Sequence, residues 1–399
     1  MTHKPSFLLL FLLISFGSVT AVLFTPALPE IQQYFHVSEK QTQLTVTLFL
    51  VGYAFGQLLY GPLANGLGRK KALMIGVIGE IIACLLCLVS SWLHTFWLLV
   101  AARLLMALGA SVGLKMTFTL IADCYDANES RRLTSHLMMA FAITPGLGIA
   151  LGGVLSTYFG WESCFMALGL YGFFVLCLIA HMSETLKTID KNALKSVFIF
   201  KKYRQRFCSL PLWIGGLLMG IGGACIYVFA ALAPFICEKY LHLNPSQYGL
   251  WNLLPPVGII IGSQSAAYFS ERYSPKKAIA IGLSIALLGA AFMFINFMLQ
   301  QWKPICLFLP LIIVYTGISF IFGNASTLAM QSDEDKSSAS AVMNFVNMGL
   351  STVSVFLLSS LSIQNPLILP GSFLLLSGMG FLLIRFKSLN HNVSICTTQ

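Results

Sequence analysis

Three charged residues lie inside stretches of the chain that are otherwise apolar: Glu80, Arg103 and Lys115. A fourth, Asp123, ends the stretch that contains the arginine and the lysine. A charge at the centre of an apolar span costs about 2.5–3.5 kcal/mol on insertion scales, so each of these residues is a functional candidate. We predict that Arg103 and Lys115 bind an anionic group of a substrate, and that Glu80 and Asp123 take part in proton coupling. A second functional role for Arg103 is that of an electrostatic switch linked to proton movement.

The same residues also admit simpler interpretations. Arg103 is alternatively a structural arginine that hydrogen-bonds to backbone carbonyls of the first helix. Glu80 and Lys115 lie at similar depths in neighbouring apolar segments, so they alternatively form an ion pair and neutralise each other. The sequence leaves both pairs of alternatives open.

The elements that hold these charges are apolar segments long enough to cross a bilayer. The chain has 399 residues, of which 57% are hydrophobic and 10% charged, whereas soluble domains carry about 25% charged residues. We count twelve apolar segments, and a bilayer requires each to satisfy its own backbone hydrogen bonds. The sequence therefore predicts an all-α membrane protein with twelve transmembrane helices. Alternating ten-residue strands, which would indicate a barrel, are absent.

The distribution of basic residues predicts the orientation. If the N-terminus is cytoplasmic, 19 of the 24 lysines and arginines lie in inside loops or tails, and three lie in outside loops. This bias places both termini in the cytoplasm. The net charge of +10 is scattered over short loops, so it does not indicate nucleic-acid binding.

A basic segment near the middle divides the chain into six spans plus six. We predict an N-terminal bundle at 1–185, a basic cytoplasmic linker at 186–209 and a C-terminal bundle at 210–399. The halves repeat weakly: Lys70-Lys71-Ala72 matches Lys276-Lys277-Ala278, 206 residues later. Two six-helix pseudo-repeats of parallel topology are typical of a large class of secondary transporters.

Several motifs are distributed over the N-terminal half. They are Pro26-Ala27-Leu28-Pro29-Glu30-Ile31, the run from Gly52 to Asn65 with Arg69-Lys70, Arg103 with Gly109, and the run from Pro145 to Gly153 followed by Phe159-Gly160-Trp161. Together they resemble the major facilitator superfamily, and within it the bicyclomycin-resistance-type (Bcr/CflA) drug/proton antiporters.

The resemblance assigns roles to two groups of residues. It implies a gating motif at Gly61, Asn65, Gly68, Arg69 and Lys70, and an antiporter-like motif at Pro145, Gly148, Gly152 and Gly153. The chain also departs from the family pattern. The gating motif normally has an aspartate where Asn65 stands, the fifth-helix motif has Ile149 where proline is usual, and Val22 stands where related exporters carry an acid.

Aromatic and amide side chains are the remaining candidates for substrate contacts. Tyr53 and Gln57 are four residues apart and share a helix face. The C-terminal half offers Tyr227, Asn252, Asn344 and Asn347. For any one of them, ordinary packing or a hydrogen bond between helices is the competing explanation.

The function predicted from these observations is proton-coupled export of small organic molecules by alternating access. The alternative is a transporter, in either direction, of an anionic metabolite such as a polycarboxylate siderophore or an organic acid. Motifs for nucleotide binding or zinc catalysis are absent, so we expect no enzymatic activity, no cofactor and no metal. The expected partners are a small-molecule substrate, protons and the lipid bilayer, with no nucleic acid, and the chain is expected to be a monomer.

Overall fold

The computed structural model describes residues 4–186, 188–195, 203–270, 272–330, 336–361 and 365–385. Within these ranges every regular element is a helix and no strand occurs. The chain divides into two compact units, Met1–Lys201 and Lys202–Gln399. This division falls inside the segment predicted as a linker.

Eight α-helices lie in the described part of the N-terminal unit. They are α1 (Phe7–Val22), α2 (Leu28–Tyr34), α3 (Glu39–Leu67), α4 (Arg69–Trp92), α5 (Phe96–Ala110), α6 (Val112–Cys124), α7 (Ala127–Phe159) and α8 (Glu162–His181). A 3₁₀ turn at Thr25–Ala27 joins α1 to α2, and a second one follows α8 at Lys191–Leu194. A buried apolar core in this unit joins α1, α4, α6 and α8 through residues such as Leu13, Val77, Met116 and Val175.

Seven helices of at least seven residues lie in the described part of the C-terminal unit. They are α9 (Leu210–Leu241), α10 (Pro245–Trp251), α11 (Pro255–Ser270), α12 (Pro275–Met298), α13 (Pro304–Met330), α14 (Lys336–Ser359) and α15 (Ile368–Ile384). α11 begins at Pro255-Pro256, directly after the turn that follows α10. Proline is well suited to the first turn of a helix, where its missing N–H leaves no hydrogen bond unmade.

The prediction of an all-helical membrane protein is confirmed. Ten helical stretches in the described residues are long and apolar enough to cross a membrane, with α1 and α2 forming one stretch and α5 and α6 another. The eighth predicted segment, near 248–268, corresponds to α11, which has 16 residues. The twelfth, near 366–384, corresponds to α15, which has 17 residues. The described residues therefore contain ten membrane-length helical stretches and two shorter helices at the two remaining predicted spans.

The two units repeat the same helix contacts. In the first unit, Gly52 of α3 packs against Leu104, and Gly56 packs against Ser111, two spans later. In the second unit, Gly258 of α11 packs against Ile312, and Gly262 packs against Ser319. A second contact pairs Gly76 with Gly109 and Gly282 with Gly317. Corresponding residues are 206 positions apart for the glycines of α3 and α4, and 208 positions apart for their contacts on α5 and at its end. Such near-constant offsets are expected for two pseudo-repeats.

Candidate functional site

Arg103 lies on α5 with its side chain fully buried. Its Nη1 donates to the Thr20 carbonyl at 3.0 Å, its Nη2 to the Ala21 carbonyl at 3.3 Å, and its Nε to the Thr45 carbonyl at 3.4 Å. The guanidinium also lies over the rings of Phe24 and Phe49, at 4.0 and 4.3 Å from their centroids. The arginine therefore joins α5 to the end of α1 and to α3.

The sequence of the first span explains why it needs this arginine. Pro26 has no backbone N–H, so the helix cannot continue its hydrogen-bond ladder through this position, and α1 ends at Val22. The last carbonyls of a helix have no partner within it, and a membrane span has no water to supply one. Thr25 Oγ1 donates to the Val22 carbonyl at 2.7 Å, while Arg103 donates to the two carbonyls before it. Arg103 thus caps α1.

This geometry matches the structural alternative for Arg103. Its donors are directed at backbone carbonyls, and its side chain is not exposed in the conformation described. The role in substrate binding that we predicted from the sequence stays a prediction. It would require the guanidinium to leave these carbonyls in another conformation.

Glu80 lies on α4 and is also fully buried. Its Oε1 accepts a hydrogen bond from the Cys84 thiol at 3.1 Å, whereas its Oε2 has no hydrogen-bond partner. The glycines at 109 and 172 leave room for this residue, since a Cβ at either position would meet Glu80 atoms. An ionised carboxyl with so few donors is costly in an apolar interior, so the site suits a carboxyl that binds a proton.

Lys115 lies on α6 and donates through Nζ to the Gln57 backbone carbonyl of α3 at 3.3 Å. Among the described residues no ion pair joins Lys115 to Glu80, so the predicted alternative of a mutually neutralising pair is not observed. Gln57 and Tyr53 are both buried on α3, and the Tyr53 ring lies against Gly17 of α1. The structure therefore brings Lys115 and Gln57 together, with Tyr53 one turn away.

The predicted gating motif forms a polar cluster at the end of α3. Arg69 Nη1 donates to Asn65 Oδ1 at 2.6 Å, and Arg69 Nε forms an ion pair with Asp123 Oδ2 at 3.0 Å. The Asn65 carbonyl accepts from the Asp190 backbone N–H at 3.1 Å. Asp123, which we proposed for proton coupling, is thus engaged by an arginine within this cluster. Asn65 takes part in it although it lacks the charge of the usual aspartate.

Glu184 is a member of the same cluster that sequence reasoning missed. Its carboxylate accepts from the backbone N–H groups of Arg69 and Lys70 at 2.8 and 3.1 Å, and so caps the start of α4. Gly68 adopts φ 99°, which favours glycine, and a Cβ there would meet the Glu184 carboxylate. Lys70 Nζ donates to the Ala180 carbonyl at 2.7 Å. The only sequence signal was the position of Glu184 directly after an apolar span.

The antiporter-like motif lies on α7, which runs unbroken through Pro145. Gly152 packs against the Leu23 carbonyl so closely that a Cβ would overlap it. A Cβ at Gly148 would meet Val19 atoms at 3.6–3.8 Å, which is ordinary contact. Gly153 is buried beside them. These glycines therefore permit a close approach of α7 to the end of α1, which is a role in helix packing.

The candidate residues of the C-terminal unit differ from one another in burial and in hydrogen bonding. Asn252 is buried, and its Nδ2 donates to the backbone carbonyl of Tyr248, four residues earlier, at 2.7 Å. Asn347 is buried with no hydrogen-bond partner for Oδ1, and its amide lies beside Gly223 of α9. Tyr227 and Asn344 are half-buried. Of these four residues, Asn347 has a fully buried side-chain oxygen without a hydrogen-bond partner.

Comparison with known families decides the class of the protein. Residues 8–355 match the family model described as Major Facilitator Superfamily. The chain belongs to the Major Facilitator Superfamily. The resemblance predicted from the motifs is confirmed, and the chain is a membrane transporter and not an enzyme.

Named relatives narrow the likeness within the superfamily. Multidrug resistance protein D of Escherichia coli is 26% identical over 387 residues, which cover 94% of this chain and 93% of the relative. The bicyclomycin resistance protein homolog of Haemophilus influenzae is 23% identical over 308 residues, covering 75% and 73%. The solved D-xylose-proton symporter matches 97% of both chains with a TM-score of 0.78 at 15% identity, a likeness of fold alone.

The repeats of this superfamily member share packing but not charge. By the offsets of the conserved helix contacts, the second-unit counterparts of Glu80, Arg103 and Lys115 are Ala286, Leu311 and Gly323. Pro234, which lies 208 residues after Pro26, is inside α9, and this helix continues through it. These three intramembrane charges of the first unit therefore have no charged counterpart in the second unit.

Proposed function

We propose that this transporter exports small organic molecules from the cytoplasm of a bacterium in exchange for protons. It acts as a monomer in the inner membrane, with both termini in the cytoplasm. The names of the two relatives, one for multidrug resistance and one for bicyclomycin resistance, support drug-like substrates. The motif resemblance supports antiport, and the distribution of basic residues supports the orientation.

The observation that carries proton coupling is the Glu80 carboxyl. It is fully buried, its Oε2 has no hydrogen-bond partner, and the single donor at Oε1 is a thiol, which is a weak donor. We infer that Oε2 holds a proton in this conformation and releases it in another one. Asp123 is the weaker candidate, because its carboxylate already pairs with Arg69 and its side chain is 25% exposed.

In the proposed cycle, the Glu80 carboxyl both releases and takes up the coupled proton. The neutral carboxyl is the stable form while the site is closed to water, as in the conformation described. Opening toward the cytoplasm hydrates the carboxyl, and the proton leaves as substrate enters. Opening toward the outside allows protonation again, and substrate leaves. Each opening changes the relative free energy of the two protonation states, which couples the two fluxes.

The test is transport in proteoliposomes with an imposed pH gradient. Ethidium, bicyclomycin and citrate serve as probes of cationic, uncharged and carboxylate substrates. We expect gradient-driven movement of ethidium or bicyclomycin, and its loss in Glu80→Gln. Movement of citrate alone would instead support the anionic-metabolite alternative, and gradient-independent movement of every probe would refute proton coupling.

A further inference from the structure

Gln43, on the second turn of α3, has a buried side-chain amide without a hydrogen-bond partner. Its side chain is 0% exposed, and neither Oε1 nor Nε2 has a hydrogen-bond partner. An amide buried without partners destabilises the folded protein, because it has lost its hydrogen bonds to water. Native proteins seldom retain such a group without a use for it.

The rest of the helix shows that this state is particular to Gln43. The hydroxyls of Thr45 and Thr47 donate to carbonyls of their own helix, and Gln41 caps the helix start with Ser38. A buried amide of the other unit, Asn324, donates to the Phe320 carbonyl at 2.9 Å. Gln43 therefore differs from polar residues that the fold satisfies locally.

The position of Gln43 relates it to the candidate site. Gln43, Leu50 and Gln57 recur at seven-residue intervals, which places them along one side of α3. Gly52, which contacts α5, lies on the opposite side of the helix. Fourteen residues separate the two glutamines, or about 21 Å at 1.5 Å per residue. Gln57 is the residue whose carbonyl accepts from Lys115.

We propose that the Gln43 amide binds the substrate, and that it recognises an uncharged molecule carrying a lactam or similar cis-amide. The side-chain oxygen of Gln43, Oε1, accepts a hydrogen bond from the amide N–H of the ligand. The side-chain NH₂ of Gln43 donates a hydrogen bond to the carbonyl of the ligand. Two parallel hydrogen bonds satisfy both atoms that the fold leaves unpaired. The inference rests on the proposed function, since it assigns a substrate class to the same transport pathway.

The test measures binding in detergent, separately from transport. Bicyclomycin, which contains two lactam amides, is the probe, and tetraphenylphosphonium, which has no hydrogen-bonding group, is the comparison ligand. Gln43→Leu removes the amide at similar size, and Thr47→Val, one turn along the helix, is the matched control. We expect Gln43→Leu to bind bicyclomycin about ten- to a hundredfold more weakly, with tetraphenylphosphonium binding unchanged.

Stability distinguishes this role from a structural one. Because Gln43→Leu replaces an unpaired amide with an apolar group, its unfolding temperature should equal or exceed that of the wild type. A lower unfolding temperature, an equal loss for both ligands, or unchanged bicyclomycin binding would each overturn the inference. Wild-type protein that binds no bicyclomycin would also overturn it. Gln43-dependent binding without any proton-driven transport would refute the proposed function alone.

Discussion

The sharpest prediction of the structure concerns Arg103→Leu. The substitution leaves the carbonyls of Thr20 and Ala21 without their donors at 3.0 and 3.3 Å, in a helix that Pro26 has already interrupted. A buried acceptor left unsatisfied costs about 1–3 kcal/mol, which gives about 2–6 kcal/mol for two. Removing a buried charge recovers part of this cost. We expect a net loss of about 2–4 kcal/mol, mainly as early unfolding of the first span.

Leucine is the informative replacement because Leu311 occupies the corresponding position in the second unit. A leucine is therefore compatible with this type of helix packing. We expect the loss of stability to come from the uncapped carbonyls of Thr20 and Ala21. Arg103→Lys keeps the charge but presents its donors from a single nitrogen, so it should recover only part of the stability. The assay is thermal unfolding in detergent, followed by a maleimide dye that reacts with buried cysteines such as Cys84 and Cys164 as they become exposed.

The result that would refute this reasoning is equally clear. If Arg103→Leu unfolds at the wild-type temperature but no longer transports, the arginine acts on substrate or on the transport cycle. The capping role would then be secondary, and the prediction of substrate binding at Arg103 would gain support.

Three further predictions follow from the same contacts. Glu80→Gln should abolish pH-driven transport while leaving the unfolding temperature unchanged or higher, because it keeps the shape and removes a buried acid; a fall in stability would contradict this. Gly152→Ala should lower the unfolding temperature, because overpacking costs about 1–3 kcal/mol, whereas Gly148→Ala should be tolerated; equal effects would show that the close approach to α1 is not limiting. Asn65→Asp should add an ion pair to Arg69 and shift the accessibility of single cysteines at the two mouths toward the outward-facing state; unchanged accessibility would remove the gating role from this position.

Much of the fold follows from the sequence, because apolar length and the charge distribution of loops constrain a membrane protein strongly. The helical class and the superfamily could be predicted in this way. The 206-residue offset, recognised from a short basic motif, recurs in the packing of Gly76 and Gly282 against their partner helices. Backbone satisfaction in lipid leaves few alternatives to helices, so composition alone was informative.

The site was harder to predict, since each role depends on which atoms meet. The sequence showed that Arg103 is intramembrane, but its direction toward the α1 carbonyls depends on where Pro26 interrupts the helix. Glu80 and Lys115 lie at similar depths, yet they face different partners, Cys84 and the Gln57 carbonyl. Gln43 carried no signal, because an amide near a helix start usually faces solvent. Depth along a span was predictable, whereas the direction around the helix was not.

The most direct test of the central claim is the release of protons on substrate binding. Purified transporter in a weakly buffered detergent solution is mixed with bicyclomycin or tetraphenylphosphonium, and the pH is followed with an indicator dye. If Glu80 exchanges its proton for substrate, the wild type should release protons in proportion to the substrate bound, and Glu80→Gln should bind substrate without release. Saturable binding with no proton release from the wild type, or equal release from both proteins, would contradict proton exchange at Glu80.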